Sequence, residues 1–320
     1  MNNLKVVHSI ESLTDAQRSM IAMDLSCDVV QLDRCSFVQN GEIDTSVEVL
    51  ICRDRDDIES ILKLCPELHF MFVVSAGVEK LPFKSLIERQ IVVCNASGVN
   101  AEVMSQYAMA QILAHSAKIR DNLLSQLKRH WIRFQCTDDL YGKNLFIAGA
   151  GRSGAALAKK AKVFGMRVIG TNYPLHPVDG FDEVIQLDDF SSRIGEADYV
   201  ACALPFTKLT SRYFNRSIFR AMKNTCVFIN MSRGGLVSGV DLIDALRNHE
   251  LSSAVLDVFD IEPLSVDDPI WDVPGLYVTP HMAGRIENFM DMALRVFCEN
   301  IAAYDKGEQL PNKVNLSNGF

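Results

Sequence analysis

Short apolar runs alternate with amphipathic stretches along almost the whole chain. In the first hundred residues, runs of strand length and β-rich composition stand at 4–8, 27–32, 47–52, 68–74 and 91–94, while 12–23 and 56–64 carry apolar residues at helical spacing. That alternation predicts parallel strands joined by helical crossovers. Residues 101–124 have few Gly or Pro breaks and read as one long helix able to bridge two lobes. A second series of runs follows at 145–148, 167–170, 182–186, 199–204, 226–230, 253–258 and 276–279. These show little polar alternation, as strands covered on both faces should. A further helix is expected over 288–304, followed by a polar tail. The pattern predicts an α/β protein of two lobes, residues 1–98 completed by 289–320, and residues 99–288.

Composition narrows the function classes. Hydrophobic residues make up 48% and charged residues 22% of the 320 positions, which fits an ordinary globular protein. Asp and Glu exceed Lys and Arg by 40 to 32, and the resulting net charge of −8 repels polyanions, so nucleic acid is not an expected partner. The opening stretch is broken by His8, Ser9 and Glu11, too interrupted for an export signal, and no run approaches the roughly 18 apolar residues of a membrane span. A cytoplasmic protein with no membrane partner is expected. The nine cysteines (27, 35, 52, 65, 94, 136, 202, 226 and 298) contain no C-x-x-C and mostly sit in apolar runs, which suits buried free thiols better than zinc or disulfides, so no metal site is expected.

The first chemical signal is a glycine loop. Gly149, Gly151 and Gly154, with Arg152 and Ser153 between them, follow a predicted strand and open a predicted helix over 155–164 that returns to a strand at 167. In that context the first glycine permits a tight turn, the second lets a pyrophosphate approach the backbone, and the third lets helix and strand pack closely. The carboxylate that clamps a ribose is expected about 20 residues further on. Asn172, after Thr171, stands there instead. An asparagine can bond a ribose hydroxyl without repelling a 2′-phosphate, so NADPH is expected to be accepted at least comparably with NADH; Arg152 and His176 are the nearest candidate phosphate partners.

Three further segments each place a polar group at the carboxyl end of a predicted strand, where ligands bind in open α/β sheets. They are 230–235 with Arg233, 256–263 with Asp257 and Glu262, and 278–284 with His281. Singly, each has a bland explanation as a surface ion pair, a solvated acid or a histidine after a proline turn. Together with the glycine loop, and with Ser75-Ala76-Gly77-Val78, Asn95-Ala96-Ser97-Gly98, Leu204-Pro205-Phe206-Thr207, Asp257-Val258-Phe259 and Thr279-Pro280-His281, the chain resembles the D-isomer-specific 2-hydroxyacid dehydrogenase family. The tail from Asn312 is similar to that of a subgroup containing glyoxylate/hydroxypyruvate reductases.

The resemblance implies two Rossmann-like parallel-sheet lobes: an NAD(P)-binding domain over 99–288 and a flavodoxin-like substrate domain from the rest. It implies reduction of a small 2-oxo acid, such as glyoxylate or hydroxypyruvate, to the D-2-hydroxy acid, with NAD(P)H as hydride carrier. Arg233 would grip carboxylate and carbonyl with a planar two-pronged cation. His281 would supply the proton, as an imidazole with an ordinary pKa near 6.5 can, and Glu262 would hydrogen-bond and orient it. The N–H groups of Ala76, Gly77 and Val78 would hold the substrate carboxylate. The glycine loop, Thr171, Asn172, Leu204, Pro205, Met231, Ser232, Asp257, His281 and Gly284 would line the cofactor, with Asp257 facing the nicotinamide carboxamide. A homodimer is implied as well, with Arg53 and Trp131 as open candidates for substrate contact. The chain departs from the family pattern at Met104-Ser105-Gln106 and at Val237-Ser238-Gly239. The alternative is a non-catalytic NAD(H)-sensing binding protein on the same fold, since fold alone does not decide function.

Overall fold

A computed structural model describes residues 6–32 and 47–319. The expected run at 4–8 therefore starts outside the described residues, and Cys35 lies outside them. The chain divides into two compact units, Met1–Val99 with Ile286–Phe320, and Asn100–Arg285.

The first unit holds β1 (Val6–Ser9), α1 (Asp15–Leu25), β2 (Asp28–Gln31), β3 (Val49–Cys52), α2 (Ile58–Leu64), β4 (Phe70–Val73), α3 (Phe83–Glu88) and β5 (Val92–Asn95), and later α10 (Phe289–Lys306). Its strands are all parallel in the order β2-β1-β3-β4-β5, the flavodoxin-like order. Helix α1 starts at a capping box in which Thr14 and Gln17 satisfy each other's backbone N–H. Helix α10 buries Leu294, Phe297 and Ile301, and the Phe297 ring meets Phe70 and Phe72 edge-on from above the sheet.

The second unit begins with α4 (Ala101–Ser116) and α5 (Ile119–Leu127). The single bridging helix expected over 101–124 is thus two helices, both inside this unit. The break falls at Lys118, which adopts left-handed φ 54 although it is not glycine. What pulls the chain aside is tertiary: Arg120 stacks its guanidinium 4.1 Å from the centre of the Tyr277 ring and reaches back to Gln111.

The rest of the unit runs β6 (Asn144–Ala148), α6 (Arg152–Val163), β7 (Arg167–Thr171), β8 (Glu183–Ile185), α7 (Leu187–Arg193), β9 (Tyr199–Cys202), α8 (Arg216–Ala221), β10 (Val227–Asn230), α9 (Gly239–Arg247), β11 (Ser253–Leu256) and β12 (Leu276–Val278). Seven parallel strands lie in the order β12-β11-β10-β9-β6-β7-β8. The order reverses between β6 and β9, which opens a crevice at their carboxyl ends. Phe146, Phe190, Phe214, Phe219 and Phe228 fill one face of this sheet, every ring fully buried, and truncation of such a ring costs about 3–5 kcal/mol. The two-lobed parallel α/β architecture is as expected from the apolar runs.

Seven of the eight described cysteines are buried free thiols, and Cys136 alone among them is exposed. No helix among the described residues is long and apolar enough to cross a membrane.

Candidate active site

The glycine loop joins β6 to α6, where a strand must turn sharply into a helix. Gly149 adopts φ 107, and a side chain there would meet the Ala203 carbonyl oxygen at 2.6 Å; one at Gly154 would meet the Gly149 carbonyl oxygen at 2.0 Å. Both glycines are therefore required by packing. Gly151 differs, because a methyl group built on it meets nothing within 4 Å. It forms the N-terminal boundary of α6 and, having no side chain, does not itself cap that end. An open backbone cradle at the positive end of a twelve-residue helix is what a pyrophosphate requires.

The loop is fastened to the end of β7, since Gly149 N–H donates to Thr171 Oγ1 at 3.0 Å and Ala150 N–H to the Thr171 carbonyl at 2.6 Å. Asn172 therefore emerges beside the loop. Its Oδ1 accepts from Tyr173 N–H at 2.9 Å, and its Nδ2 lies 3.1 Å from His176 Nε2. His176 Nδ1 lies 2.7 Å from the Pro174 carbonyl, which only accepts, so Nδ1 carries the hydrogen and Nε2 receives one from Asn172. Arg152 is the first residue of α6 and Ser153 the second. Leu204 and Pro205 follow β9, with Leu204 buried.

Strands β10, β11 and β12 are sheet neighbours, so the turns that leave their carboxyl ends lie side by side at about 4.8 Å per strand. Arg233 leaves β10, Asp257 and Glu262 leave β11, and His281 leaves β12. Buried Asn230 shapes the first turn: its Nδ2 donates to the Arg233 carbonyl at 2.9 Å and its Oδ1 accepts from Ser232 N–H at 3.1 Å. Met231 is buried beneath that turn. The first two turns touch backbone to backbone, because a side chain at Gly234 would lie 2.1 Å from the Phe259 carbonyl carbon.

Glu262 Oε1 accepts from Phe259 N–H at 2.8 Å, and its Oε2 lies 2.6 Å from His281 Nδ1. That contact assigns a hydrogen to Nδ1 and leaves Nε2 as the atom free to exchange a proton. Both side chains are partly exposed, 48% for His281 and 32% for Glu262.

Asp257 is held by the turn that follows β12. Its carboxylate is 1% exposed. Oδ1 accepts from Thr279 Oγ1 at 2.6 Å and Met282 N–H at 2.9 Å, and Oδ2 accepts from Ala283 N–H at 2.8 Å. Of a carboxylate's roughly four acceptor positions three are filled by the chain itself, leaving one on Oδ2 for a carboxamide. Gly284 closes the turn, where any side chain would strike Asn100. Ala76, Gly77 and Val78 belong to the other unit, on a turn after β4 that is held by Ser75 Oγ to the Gly77 carbonyl and Asn95 Nδ2 to the Ala76 carbonyl, each 2.8 Å.

Sequence reasoning missed groups that hold the turns: Asn230, Phe259 and Thr279. For Asn230 a signal existed, an amide at the last position of an apolar strand, as Asx turns use. No His, Cys, Asp and Glu group among the described residues is placed to hold a metal ion.

Comparison with known proteins shows the family. Residues 109–283 match the model of "D-isomer specific 2-hydroxyacid dehydrogenase, NAD binding domain", more than half of the chain. The chain belongs to that family. Among the dehydrogenases and reductases it resembles is a glyoxylate reductase of Korarchaeum cryptofilum, 29% identical over 288 residues that span 85% of this chain and 83% of the relative. A glyoxylate/hydroxypyruvate reductase B of Escherichia fergusonii is 29% identical over 87% of each chain. A crystal structure of a D-isomer specific 2-hydroxyacid dehydrogenase family protein from Aeromonas salmonicida superposes with a TM-score of 0.80 at 26% identity, covering 98% of this chain and 99% of the other. The expected likeness to glyoxylate/hydroxypyruvate reductases is thus found, and the family is one of NAD(P)-dependent oxidoreductases.

Two of the loop glycines are expected to respond differently to substitution. Gly151→Ala is expected to weaken dinucleotide binding by about tenfold or more while leaving Tm within about 2 °C, because its methyl group fills only the space a pyrophosphate would take. Gly149→Ala, which must displace the Ala203 backbone and strains a left-handed φ, is expected to lower Tm by several degrees. Titration of NADH fluorescence and thermal melts of the two variants check both.

Proposed function

We propose that this protein reduces a small 2-oxo acid of the glyoxylate and hydroxypyruvate class to the D-2-hydroxy acid, with Arg233 binding substrate, His281 as general acid and base, and Glu262 orienting His281. The observation that carries the reading is the 2.6 Å contact of His281 Nδ1 with Glu262, at the carboxyl edge of a sheet whose glycine loop can take a dinucleotide.

The nicotinamide supplies the hydride that reaches the carbonyl carbon. As charge grows on the carbonyl oxygen, Arg233 neutralises it and His281 Nε2 delivers the proton, leaving an imidazole whose remaining hydrogen, on Nδ1, is still bound to Glu262. Oxidation runs the same transfers backwards, with neutral Nε2 as base. NADH and NADPH oxidation measured across a panel of 2-oxo acids tests this reading; no turnover with any small 2-oxo acid would overturn it.

The same reading extends to the cofactor and the assembly. With an amide rather than a carboxylate beside the glycine loop, NADPH is bound at least comparably with NADH. Asn172→Asp is expected to weaken NADPH binding by about tenfold or more relative to NADH, by placing a negative charge against the 2′-phosphate and removing the donor to His176. Competitive titration with the two cofactors reads that ratio directly. The exposed apolar side chains of α5 and the segment after it, among them Leu123, Leu127, Trp131 and Phe134, support a homodimer.

A further inference from the structure

A proton donor at position 281 has to be held at an unfavourable backbone conformation. His281 adopts φ 50, in the left-handed region that few non-glycine residues enter. Its own N–H donates to the Asp257 carbonyl at 2.8 Å, and the next two amides, Met282 and Ala283, donate to the two oxygens of the Asp257 side chain. The Asp257 residue thus grips three consecutive N–H groups of the turn.

The grip itself is oriented from farther away. Amide donors on both oxygens fix the carboxylate as an acceptor, so the Thr279 hydroxyl, 2.6 Å from Oδ1, must donate to it. A threonine has one hydroxyl hydrogen. With that hydrogen spent, the Tyr107 hydroxyl, 2.6 Å from Thr279 Oγ1, must be the donor in its turn. The direction is therefore fixed along the whole line: Tyr107 to Thr279, Thr279 to Asp257, Asp257 to the turn. Burial pushes the Tyr107 phenol up to about 12, which keeps it a donor throughout the neutral range. Thr279 is anchored by its own N–H to the Leu256 carbonyl at 3.0 Å, and Tyr107 by the packing of α4 on the sheet.

Resting on the reading of His281 as the acid, we propose that Thr279 and Tyr107 are positioning residues for the reaction: a half-buried hydroxyl line from α4 sets the rotation of Asp257, and Asp257 sets where His281 points. Neither residue touches the substrate. Their effect is expected on the rate of the proton transfer, since displacing a catalytic group by about 1 Å costs as much as 10²-fold.

Thr279→Val keeps the shape, removes the hydroxyl, and leaves Tyr107 donating to nothing. It is expected to lower kcat for 2-oxo acid reduction by about 30- to 100-fold, with KM changed much less. Thr279→Ser, which restores the hydroxyl without the methyl, is expected to recover most of that loss, and Tyr107→Phe to lose about fivefold, the share of one neutral hydrogen bond. Tyr107→Phe added to Thr279→Val should cost little more than Thr279→Val alone, because both break the same line. The second readout needs neither cofactor nor turnover: amide hydrogen exchange at Met282 and Ala283 should quicken by about tenfold in Thr279→Val and return toward wild type in Thr279→Ser, while β6 and β9 stay protected.

Wild-type kcat and wild-type exchange in Thr279→Val would overturn the proposal, as would a Thr279→Ser variant impaired as deeply as Thr279→Val. If Thr279→Val does not fold, Tyr107→Phe decides: faster exchange at 282 and 283 with reduced kcat supports the line, and unchanged values refute it. Full activity in a protein lacking the His281 imidazole would instead remove the acid assignment, while the exchange data would still say whether the hydroxyl line holds the turn.

Discussion

His281→Asn is expected to reduce 2-oxo acids about 10²- to 10⁴-fold more slowly than the wild-type protein, the span that general acid catalysis by a positioned side chain contributes. Asparagine is the informative replacement because position 281 has φ 50, and asparagine tolerates the left-handed region better than most residues. The variant therefore removes the proton donor without adding backbone strain, and Glu262 keeps its bond from Phe259 N–H at 2.8 Å. NADH titration checks that the untouched glycine loop still takes the dinucleotide, and the main loss should fall on kcat. A rate within about tenfold of wild type would show that the proton comes from elsewhere and that the 2.6 Å pair with Glu262 serves structure.

The features readable in the sequence are those whose cause is local. Gly149, Gly151 and Gly154 announce themselves because the turn from β6 into α6 leaves no room for a side chain at two of the three positions. The apolar runs announce a parallel sheet because β9, β10 and β11 are buried on both faces at every position. Arg233, Glu262 and His281 stood out because each follows such a run, and sheet order then sets the turns that carry them side by side.

What stayed hidden depends on residues far apart in the chain. Nothing near Lys118 marks a helix end; the break becomes visible only when Arg120 is seen over Tyr277. Tyr107 meets Thr279 across 172 positions, and no spacing rule connects them. Asp257 was picked out as a polar residue at a strand end, yet its place there did not reveal that three of its hydrogen bonds would go to the chain's own turn. The short helices α3, α7 and α8, at six or seven residues each, are too brief for a periodic signal to rise above the loops around them.

Arg233→Lys conserves charge and is nonetheless expected to lower kcat/KM for 2-oxo acids by about 10²-fold or more. The turn that carries Arg233 is rigid: Asn230 binds its carbonyl, Ser232 N–H binds Asn230, and Gly234 lies hard against Phe259. A side chain launched from so fixed a base must reach carboxylate and carbonyl oxygens with its own geometry. The guanidinium does so with two parallel N–H groups in one plane, whereas an ammonium offers a single point of charge on a flexible stem. If charge alone mattered, lysine would keep most of the rate at this position; if the fork matters, KM should rise and kcat fall together, because carboxylate and developing oxyanion lose their shared partner. Cofactor titration separates this from misfolding, since Gly149, Gly151 and Gly154 do not touch the turn and the Kd for NADH should hold. Near-normal kcat/KM in the Arg233→Lys variant would take the arginine out of the substrate site and leave it a structural role on the β10 turn.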